Sequence, residues 1–398
     1  MMTSPDLSSR PWRVRTSRPE DADAIVALLN RVFGRWGDRA KLHWKYQLPP
    51  APFRSPSAVA ELGGQIIGHF GIVPVEAVFH GETIRGAQTV DAAVLPAYRG
   101  FGIHTSLGRY VLDEAAKAGL DFIYAFPGLF SLPVDERIGY TPVAFVPEMT
   151  LVLHPWLAFK SALSCLPGDL RALWAAFRQK AWPADTIHRL ARLRRSLLVV
   201  VGWLTDPVLP WPRRFRPVGV NVARIDAFDI RFDRLWAALY PAVDLAVTKG
   251  AAYLSWRYIQ NPGEQYQIFT AESAEDVQGF LVLRQVGACT EIVEWVVLPG
   301  HSEVASALLA VAIERANQAG SLILSIWASV SHPYQPQLRG AGFVSLGRLN
   351  KLAGHWPLLA RRLYRVIIYA RHLLVGKQNE MMAQASTWPV SLGDSDLA

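Results

Sequence analysis

The 398-residue sequence contains only two cysteines, Cys165 and Cys289, and no long hydrophobic run. Two cysteines are too few for a disulfide framework or a cysteine metal site, and they are typical of a reducing compartment. The longest apolar run, residues 197–204, is far shorter than the ~20 residues that a membrane-spanning helix needs. The sequence therefore predicts a cytoplasmic protein that does not span a membrane.

Several catalytic and metal-binding motifs are also absent. The sequence has no His-Glu-x-x-His pair, no closely spaced cysteine pair and no Asp-x-Asp-Gly loop, so it predicts no metal site. It lacks the Gly-x-Ser-x-Gly elbow of the α/β-hydrolases, which argues against a Ser-His-Asp triad. Neither a metal cofactor nor hydrolase chemistry is expected.

The basic charge is concentrated in one segment, between two parts of the chain that are each long enough for a domain. Residues 155–217 contain eleven Lys or Arg against three Asp, a balance of +8 that equals the net charge of the whole chain. The segment is also rich in Trp, Leu and Pro. Together with a helix predicted over residues 358–374, it suggests peripheral binding to an anionic membrane surface. Packing of the same apolar residues between two domains is the alternative, and no nucleic-acid partner is expected.

Hydrophobic periodicity predicts a mixed α/β domain before the basic segment. Residues 58–95 contain three β-runs, separated by hairpin signals at Gly63-Gly64 and at His80-Gly81. An amphipathic helix and a buried strand follow, so the predicted order is β-α-α-β-β-β-α-β.

A strand, a glycine-rich turn and a helix start meet at residues 92–107, "AAVLPAYRGFGIHTSL". Amides at a helix N-terminus bind anions, and glycines let the backbone approach a phosphate closely, although a simple strand-to-helix turn is the alternative. The segment Tyr98–Ile103 resembles the Arg/Gln-x-x-Gly-x-Gly/Ala turn of the GNAT acyl-CoA N-acyltransferases, which binds the pyrophosphate of coenzyme A. The resemblance covers residues 12–153 and departs from the motif at His104, where the family has Gly or Ala.

The resemblance implies two GNAT-like α/β domains, each a mixed central sheet flanked by helices, joined by a helical basic linker. An internal repeat supports the second domain, because "HWKYQLP" at 43–49 parallels "SWRYIQNP" at 255–262. The second copy lacks Arg-Gly-x-Gly, so one coenzyme site and one degenerate copy are expected. The predicted bounds are 1–154 for the first domain, 155–217 for the linker, 218–350 for the degenerate domain, and 351–398 for a C-terminal helix and tail.

The resemblance also implies the co-substrate, which is acetyl-CoA or another acyl-CoA. The positions expected to bind it are Val94, Leu95, Arg99, Gly100, Phe101, Gly102, Ile103, His104 and Thr105. For His104, a role beside the phosphate or at the surface and a catalytic role both remain open.

The implied reaction is N-acyl transfer to an amine of a small molecule, such as an amino sugar or a cell-envelope precursor. A base must deprotonate the amine and an acid must reprotonate the leaving thiolate. Asp91 is the candidate base, because Gln88 stands near the place of the glutamate base of some family members and cannot serve. Asp135 stands where many members carry an acid tyrosine, so Tyr140 and Tyr124 are the candidate acids.

The C-terminal tail "STWPVSLGDSD" carries two further candidates, Asp394 and Asp396. We expect the tail to fold back to the acceptor side of the first domain's cleft, where a carboxylate takes the base role; a frayed, solvated tail is the alternative. Because neither base nor acid is clearly marked, a non-catalytic acyl-CoA-binding sensor or assembly protein is the alternative function.

Overall fold

The computed structural model divides into two compact units, each built around its own sheet. The first unit comprises Met1–Ala144 and Ile368–Ala385, and the second comprises Phe145–Ile367 and Ser386–Ala398. The residues that the structure describes are 11–54, 56–127, 131–154, 156–158, 160, 168, 170–171, 219–239, 241, 244–273, 276–328, 332–345, 366–372 and 391–395.

The first unit has a mixed sheet with helices packed on it. Its strands are β1 (Arg13–Thr16), β2 (Ala58–Leu62), β3 (Gln65–Phe79), β4 (Glu82–Val94), β5 (Phe122–Ala125), β6 (Thr141–Val146) and β15 (Val366–His372). Its helices are α1 (Ala22–Phe33), α2 (Arg39–Gln47), α3 (Ile103–Lys117) and α4 (Leu132–Arg137). The strand order is β1-β2-β3-β4-β5-β15-β6, and the pair β4–β5 is parallel.

The second unit repeats this arrangement. Its strands are β7 (Glu148–Val152), β8 (Val222–Ile225), β9 (Leu245–Val247), β10 (Tyr266–Ser273), β11 (Asp276–Val286), β12 (Cys289–Val297), β13 (Ile323–Trp327) and β14 (Val344–Ser345). Its helices are α5 (Ile230–Leu239), α6 (Ala251–Leu254), α7 (Ser302–Gln318) and α8 (Gln335–Ala341), and a π-helical turn, Ser255–Ile259, extends α6. The sheet order is β8-β10-β11-β12-β13-β7-β14, with β12–β13 parallel. Mixed sheets flanked by helices confirm the predicted fold class.

In each sheet, the strand next to the parallel pair is far in sequence from its neighbours in the sheet. β7 follows β6 along the chain, but it pairs antiparallel with β13 in the second sheet, with Leu151 opposite Leu324. β15 follows the second unit and pairs antiparallel with β5 in the first sheet, with Tyr369 opposite Ala125. β15 and β7 therefore hold equivalent places in the two sheet orders.

The helix predicted over residues 358–374 is wrong where the structure describes it. Residues 366–372 form β15, whose sequence "VIIYARH" begins with β-branched residues that favour a strand. The remainder of that segment lies outside the described residues, as does most of the basic segment 155–217. No helix among the residues that the structure describes is long and apolar enough to cross a membrane.

Close packing of α3 on the first sheet fixes the position of its N-terminus. Ile103 and Leu107 are buried against β3. A Cβ atom at Gly68 would lie 2.9 Å from the Leu107 Cδ1 atom and 3.2 Å from the Ile103 Cγ2 atom, so only glycine leaves room for this approach. The turn that precedes α3 is therefore held at the end of β4.

A fragment of residues 11–147 should not fold alone, because it lacks β15 and leaves one edge of β5 unpaired. Unpaired strand edges associate with other chains, so we expect the fragment to aggregate in size-exclusion chromatography. Adding a synthetic peptide of residues 364–374 should restore solubility, whereas a scrambled peptide should not. A soluble fragment that unfolds cooperatively without the peptide would show that the first sheet does not need β15.

Candidate functional site

A β-bulge in β4 opens the first sheet beside the end of β5. The two strands pair in parallel only as far as Gln88 opposite Tyr124, although β4 continues to Val94. The register between β3 and β4 shifts at Asp91, where β4 has one residue more than its partner. Asp91 has a φ of 51°, as expected for the distorted backbone of a bulge. One edge of the last part of β4 is thus left without a strand partner from β5.

Buried hydrogen bonds hold the side chain of Asp91 at the bulge. Trp36 Nε1 donates to Oδ1 over 2.7 Å, and the Tyr46 hydroxyl donates to Oδ2 over 2.8 Å. Lys45 Nζ lies 3.2 Å from Oδ1 and 3.1 Å from Oδ2, in an ion pair whose two side chains are almost completely buried. The carboxylate that the sequence suggested as a base is thus engaged by three donors.

The surroundings of Asp91 make it a weak base. Desolvation would raise the pKa of Asp91, but the charge of Lys45 and the hydrogen bonds from Trp36 and Tyr46 outweigh it and lower the pKa. His69 Nδ1 lies 3.0 Å from the Asp91 carbonyl oxygen, which can only accept, so Nδ1 carries the proton. Burial lowers the pKa of His69, which leaves this ring neutral.

The turn between β4 and α3 has the conformation that the glycine pair predicts. Gly100 has a φ of 89° and Gly102 a φ of 81°, both in the left-handed region. A Cβ atom at either glycine would meet nothing within 4 Å, so the turn faces open space. The Ser106 amide makes the first helical bond, 3.0 Å from the Gly102 carbonyl oxygen. The amides of residues 103–105 precede it and are available to an anion.

Arg99 adds a positive charge to this turn. Its Nε donates to the Val94 carbonyl oxygen over 3.1 Å, which ties the guanidinium to the end of β4. Desolvation lowers the pKa of Arg99, but the group stays charged. No carboxylate among the described residues pairs with it. Phe101, at the tip of the turn, is 49% exposed.

The comparisons with known proteins agree with this geometry. Residues 13–143 match the family model described as an acetyltransferase (GNAT) domain. The first unit carries a GNAT domain. GNAT domains use acyl-CoA, so the match supports acyl transfer in general. No curated protein matches the chain.

Solved structures share the GNAT fold along most of this chain at low sequence identity. A conserved protein of unknown function from Enterococcus faecalis, described as a probable N-acyltransferase, has a TM-score of 0.59 at 14% identity. The match covers 94% of this chain and 74% of the Enterococcus chain. A GCN5-related N-acetyltransferase from Anabaena variabilis has a TM-score of 0.58 at 11% identity, and the match covers 92% of this chain and 73% of the Anabaena chain. A GCN5-related N-acetyltransferase from Kribbella flavida has a TM-score of 0.56 at 15% identity, and the match covers 91% of this chain and 71% of the Kribbella chain.

Of the coenzyme residues expected in the GNAT domain, the hydrophobic ones are mostly buried and the glycines exposed. Val94, Leu95 and Ile103 belong to the core, while Thr105 is half-buried in the first turn of α3. At Ile103 and Thr105 the backbone amides of the first turn of α3 face no helical partner, whereas the Ile103 side chain belongs to the core.

His104 packs against the sheet rather than reaching into solvent. Its ring centroid lies 5.6 Å from that of Phe70, and its Nε2 has no partner among the described residues. Burial lowers the pKa of His104 to about 4, so the ring is neutral at physiological pH. The side chain occupies core space while its amide remains at the turn.

The candidate acids lie close together in sequence but differ in their surroundings. Tyr140 is buried, and its hydroxyl lies 2.7 Å from the Thr89 Oγ1 atom on β4. Tyr124 is also buried. Asp135 is buried on α4 and hydrogen-bonded to Ser131; desolvation raises its pKa to about 7. Asp135 is therefore the group with a pKa suited to giving up a proton near neutrality.

The predicted position of the tail in the first domain's cleft is wrong for Asp394. Its carboxylate is buried in the second unit, 3.2 Å from Lys249 Nζ, and it also accepts from the Ser391 amide over 2.8 Å. The tail docks there because its short 3-10 turn supplies a carboxylate to a buried cation. Asp396 lies outside the described residues.

The repeated sequences place an acid and a tyrosine together in both units. Tyr46 donates to Asp91 in the first unit, and the Tyr258 hydroxyl donates to Glu294 Oε2 over 3.1 Å in the second. Glu294 also lies at a bulge, because the register between β11 and β12 shifts beside it. The sequence analysis found the repeat but missed this pairing, although Tyr46 and Tyr258 occupy matching positions in "HWKYQLP" and "SWRYIQNP".

Replacing Lys45 by Met should destabilise the first unit strongly. The change leaves the buried Asp91 carboxylate without its cation, which costs about 3–5 kcal/mol of unfolding free energy. The double variant Lys45→Met/Asp91→Asn should lose less unfolding free energy, because it leaves no unpaired charge in the core. Urea denaturation followed by circular dichroism measures both. Folding lowers the pKa of Asp91, so the ion pair with Lys45 contributes to the unfolding free energy at neutral pH. This contribution is lost as the pH falls through the pKa that Asp91 has in the folded protein.

Lys117→Met is the matched control, since it breaks an exposed ion pair with Glu114 in the same unit. It should leave stability nearly unchanged. Equal losses of unfolding free energy in Lys45→Met and Lys117→Met would show that the buried Lys45–Asp91 pair does not stabilise the bulge.

Proposed function

We propose that the first unit is an acyl-CoA-dependent N-acyltransferase that acetylates an amine of a small molecule, such as an amino sugar or a cell-envelope precursor. The observation that carries the proposal is the turn at residues 99–105, which brings the first amides of α3 and the Arg99 side chain into one short segment. The amides and the cation suit the pyrophosphate of coenzyme A. The glycine backbone, open on its outer side, leaves room for it.

The opening beside β4 suits the rest of the coenzyme. An extended pantetheine arm carries amide groups, and the strand edge beyond Gln88 has backbone groups without a partner from β5. Val94 and Leu95 lie at the end of this edge, next to the turn. An acyl-CoA bound along β4 would therefore place its thioester toward the bulge at Asp91.

The carboxylate at the bulge has a positioning role in this proposal. A carboxylate that already accepts from Lys45, Trp36 and Tyr46 and has a lowered pKa takes up a proton poorly. Its contribution is to fix the bend that opens the sheet. The amine acceptor therefore reaches the thioester either already neutral or through a base other than Asp91.

We assign the acid to Asp135, which replaces Tyr140 and Tyr124 in this role. With a pKa of about 7 its carboxyl is about half protonated at neutral pH and largely protonated below it, and the protonated form can donate to the thiolate that leaves when the C–S bond breaks. Tyr140 instead shares its hydroxyl with Thr89.

Gly102→Ala should weaken acetyl-CoA binding about tenfold or more, equivalent to at least about 1.4 kcal/mol. A side chain at a φ of 81° forces the turn to rearrange, which displaces the amides of residues 103–105 from the proposed pyrophosphate position. Calorimetric titration of acetyl-CoA measures the change. Gly64→Ala is the matched control, because Gly64 has a φ of 82° and equally open surroundings in the β2–β3 hairpin.

Equal acetyl-CoA affinity in Gly102→Ala and Gly64→Ala would remove the proposed site. Turnover is then tested with acetyl-CoA and a panel of small amines, by thiol release and mass spectrometry of the products. Tight binding that depends on Gly102, with no acylated amine across the panel, would instead support the acyl-CoA sensor.

The pH dependence of turnover should report Asp135. The protonated carboxyl is the active form, so kcat should fall as the pH rises through about 7. Asp135→Asn should lower kcat and remove this alkaline limb. Asp113→Asn is the control, since Asp113 is an exposed carboxylate on α3 of the same unit. An unchanged limb in Asp135→Asn would exclude Asp135 as the acid.

A further inference from the structure

The second unit contains a cavity of about 500 Å³ beside the diverging strands β12 and β13. These strands pair in parallel only as far as Ile292 opposite Ile326, and the cavity is lined by the remainder of β12 and by the turn before α7. Its volume is that of a site for a small organic molecule. The described residues that line it all belong to the second unit.

Aromatic side chains from several elements line this cavity. Trp236 comes from α5, Trp295 from β12 and Trp327 from the end of β13. His332 and Tyr334, which precede α8, also line it. Because these rings come from one helix, two strands and a loop, the cavity offers flat apolar faces that no single element could supply.

Part of the aromatic wall is fixed by contacts within the protein. The ring centroids of Trp295 and Tyr334 lie 4.6 Å apart, and those of Trp295 and His332 lie 6.0 Å apart. The Tyr334 hydroxyl donates to the Val297 carbonyl oxygen over 2.8 Å, which ties these rings to the end of β12. Burial lowers the pKa of His332 to about 4, so this ring is neutral. A ligand therefore meets a wall whose side chains are already ordered, which reduces the entropy lost on binding.

The opening in the second unit differs from that in the first at the same place in the repeat. The segment "VLPA" at 94–97 parallels "VLPG" at 297–300, so Trp295 corresponds to Ala92. The indole of Trp295 takes up room beside the strand that a methyl group leaves free. The turn that follows also lacks the Arg-Gly-x-Gly of the first unit, and with it the glycines that let a backbone approach a phosphate. The second opening therefore suits a ligand other than acyl-CoA.

We propose that this cavity binds a molecule with a planar aromatic ring system. Aromatic rings attract one another in offset-stacked and edge-to-face arrangements, with centroids about 4.5–7 Å apart. A planar ligand can adopt both arrangements against rings that approach from different elements, whereas a puckered ring of the same size has no π-face to contribute. The site is separate from the turn at residues 99–105, so binding does not depend on the proposed acyl transfer.

Two uncharged bicyclic alcohols, 2-naphthol and decahydro-2-naphthol, test the proposal because only the first is planar. In calorimetric titrations of the full chain at pH 7, 2-naphthol should bind about five- to tenfold more tightly than decahydro-2-naphthol. The proposal is overturned if 2-naphthol shows no saturable binding at about 1 mM, or if the two alcohols bind equally well.

Substitution of a lining tryptophan locates the binding site. Trp236→Leu keeps an apolar side chain on α5 but removes a flat face, so it should weaken 2-naphthol binding about three- to fivefold and affect decahydro-2-naphthol less. Trp156→Leu is the matched control, because Trp156 is an exposed tryptophan of the second unit that does not line the cavity. Circular dichroism confirms that both variants are folded. Equal 2-naphthol affinity in the two variants would overturn the proposal.

Competition with acetyl-CoA separates this site from the one proposed in the first unit. In Gly102→Ala, 2-naphthol should bind as in the unaltered chain, and acetyl-CoA should not displace it. Loss of 2-naphthol binding in Gly102→Ala would place the alcohol in the first unit. Displacement by acetyl-CoA in this variant would show that the second opening is an acyl-CoA site. Either result would overturn the proposal.

Discussion

A buried carboxylate at a strand bulge is the constraint on which both units depend. Asp91 on β4 and Glu294 on β12 occupy the same place in their sheets, each accepting a hydrogen bond from a tyrosine and each paired with a lysine. A charge at this depth is tolerated only when it is paired and hydrogen-bonded, so the bulge and its partners form together. Because the bulge bends the strand, it opens each sheet beside its parallel neighbour.

The two sheets open at the same place, but the turns beside the two openings differ. In the first unit, β4 leads to left-handed glycines and to an arginine without a carboxylate partner among the described residues. In the second, the corresponding turn has Glu303 at the helix start, and the cavity beside β12 is walled by aromatic rings. The backbone geometry of the opening is therefore shared, while the side chains around it are not.

The strand next to the parallel pair gives each sheet a second constraint. β15 lies between β5 and β6 in the first sheet, and β7 lies between β13 and β14 in the second, so each satisfies two strand edges. The family match at residues 13–143 ends before β15, so the matched sequence does not contain all of the sheet to which it contributes. The first sheet needs chain from beyond the strands of the second unit, which raises the sequence separation of its contacts and slows folding.

The hairpins, the turn with Gly100 and Gly102, and the repeat that indicates a second copy of the fold could be predicted from the sequence. Turn conformation and hydrophobic period are local properties, so neighbouring residues reveal them. Three features became evident only in the folded chain: residues 366–372 complete the first sheet, Asp394 pairs with Lys249, and Asp91 accepts from three donors. These outcomes depend on partners tens to hundreds of residues away, and no local pattern specifies which distant cation or strand edge a segment will meet.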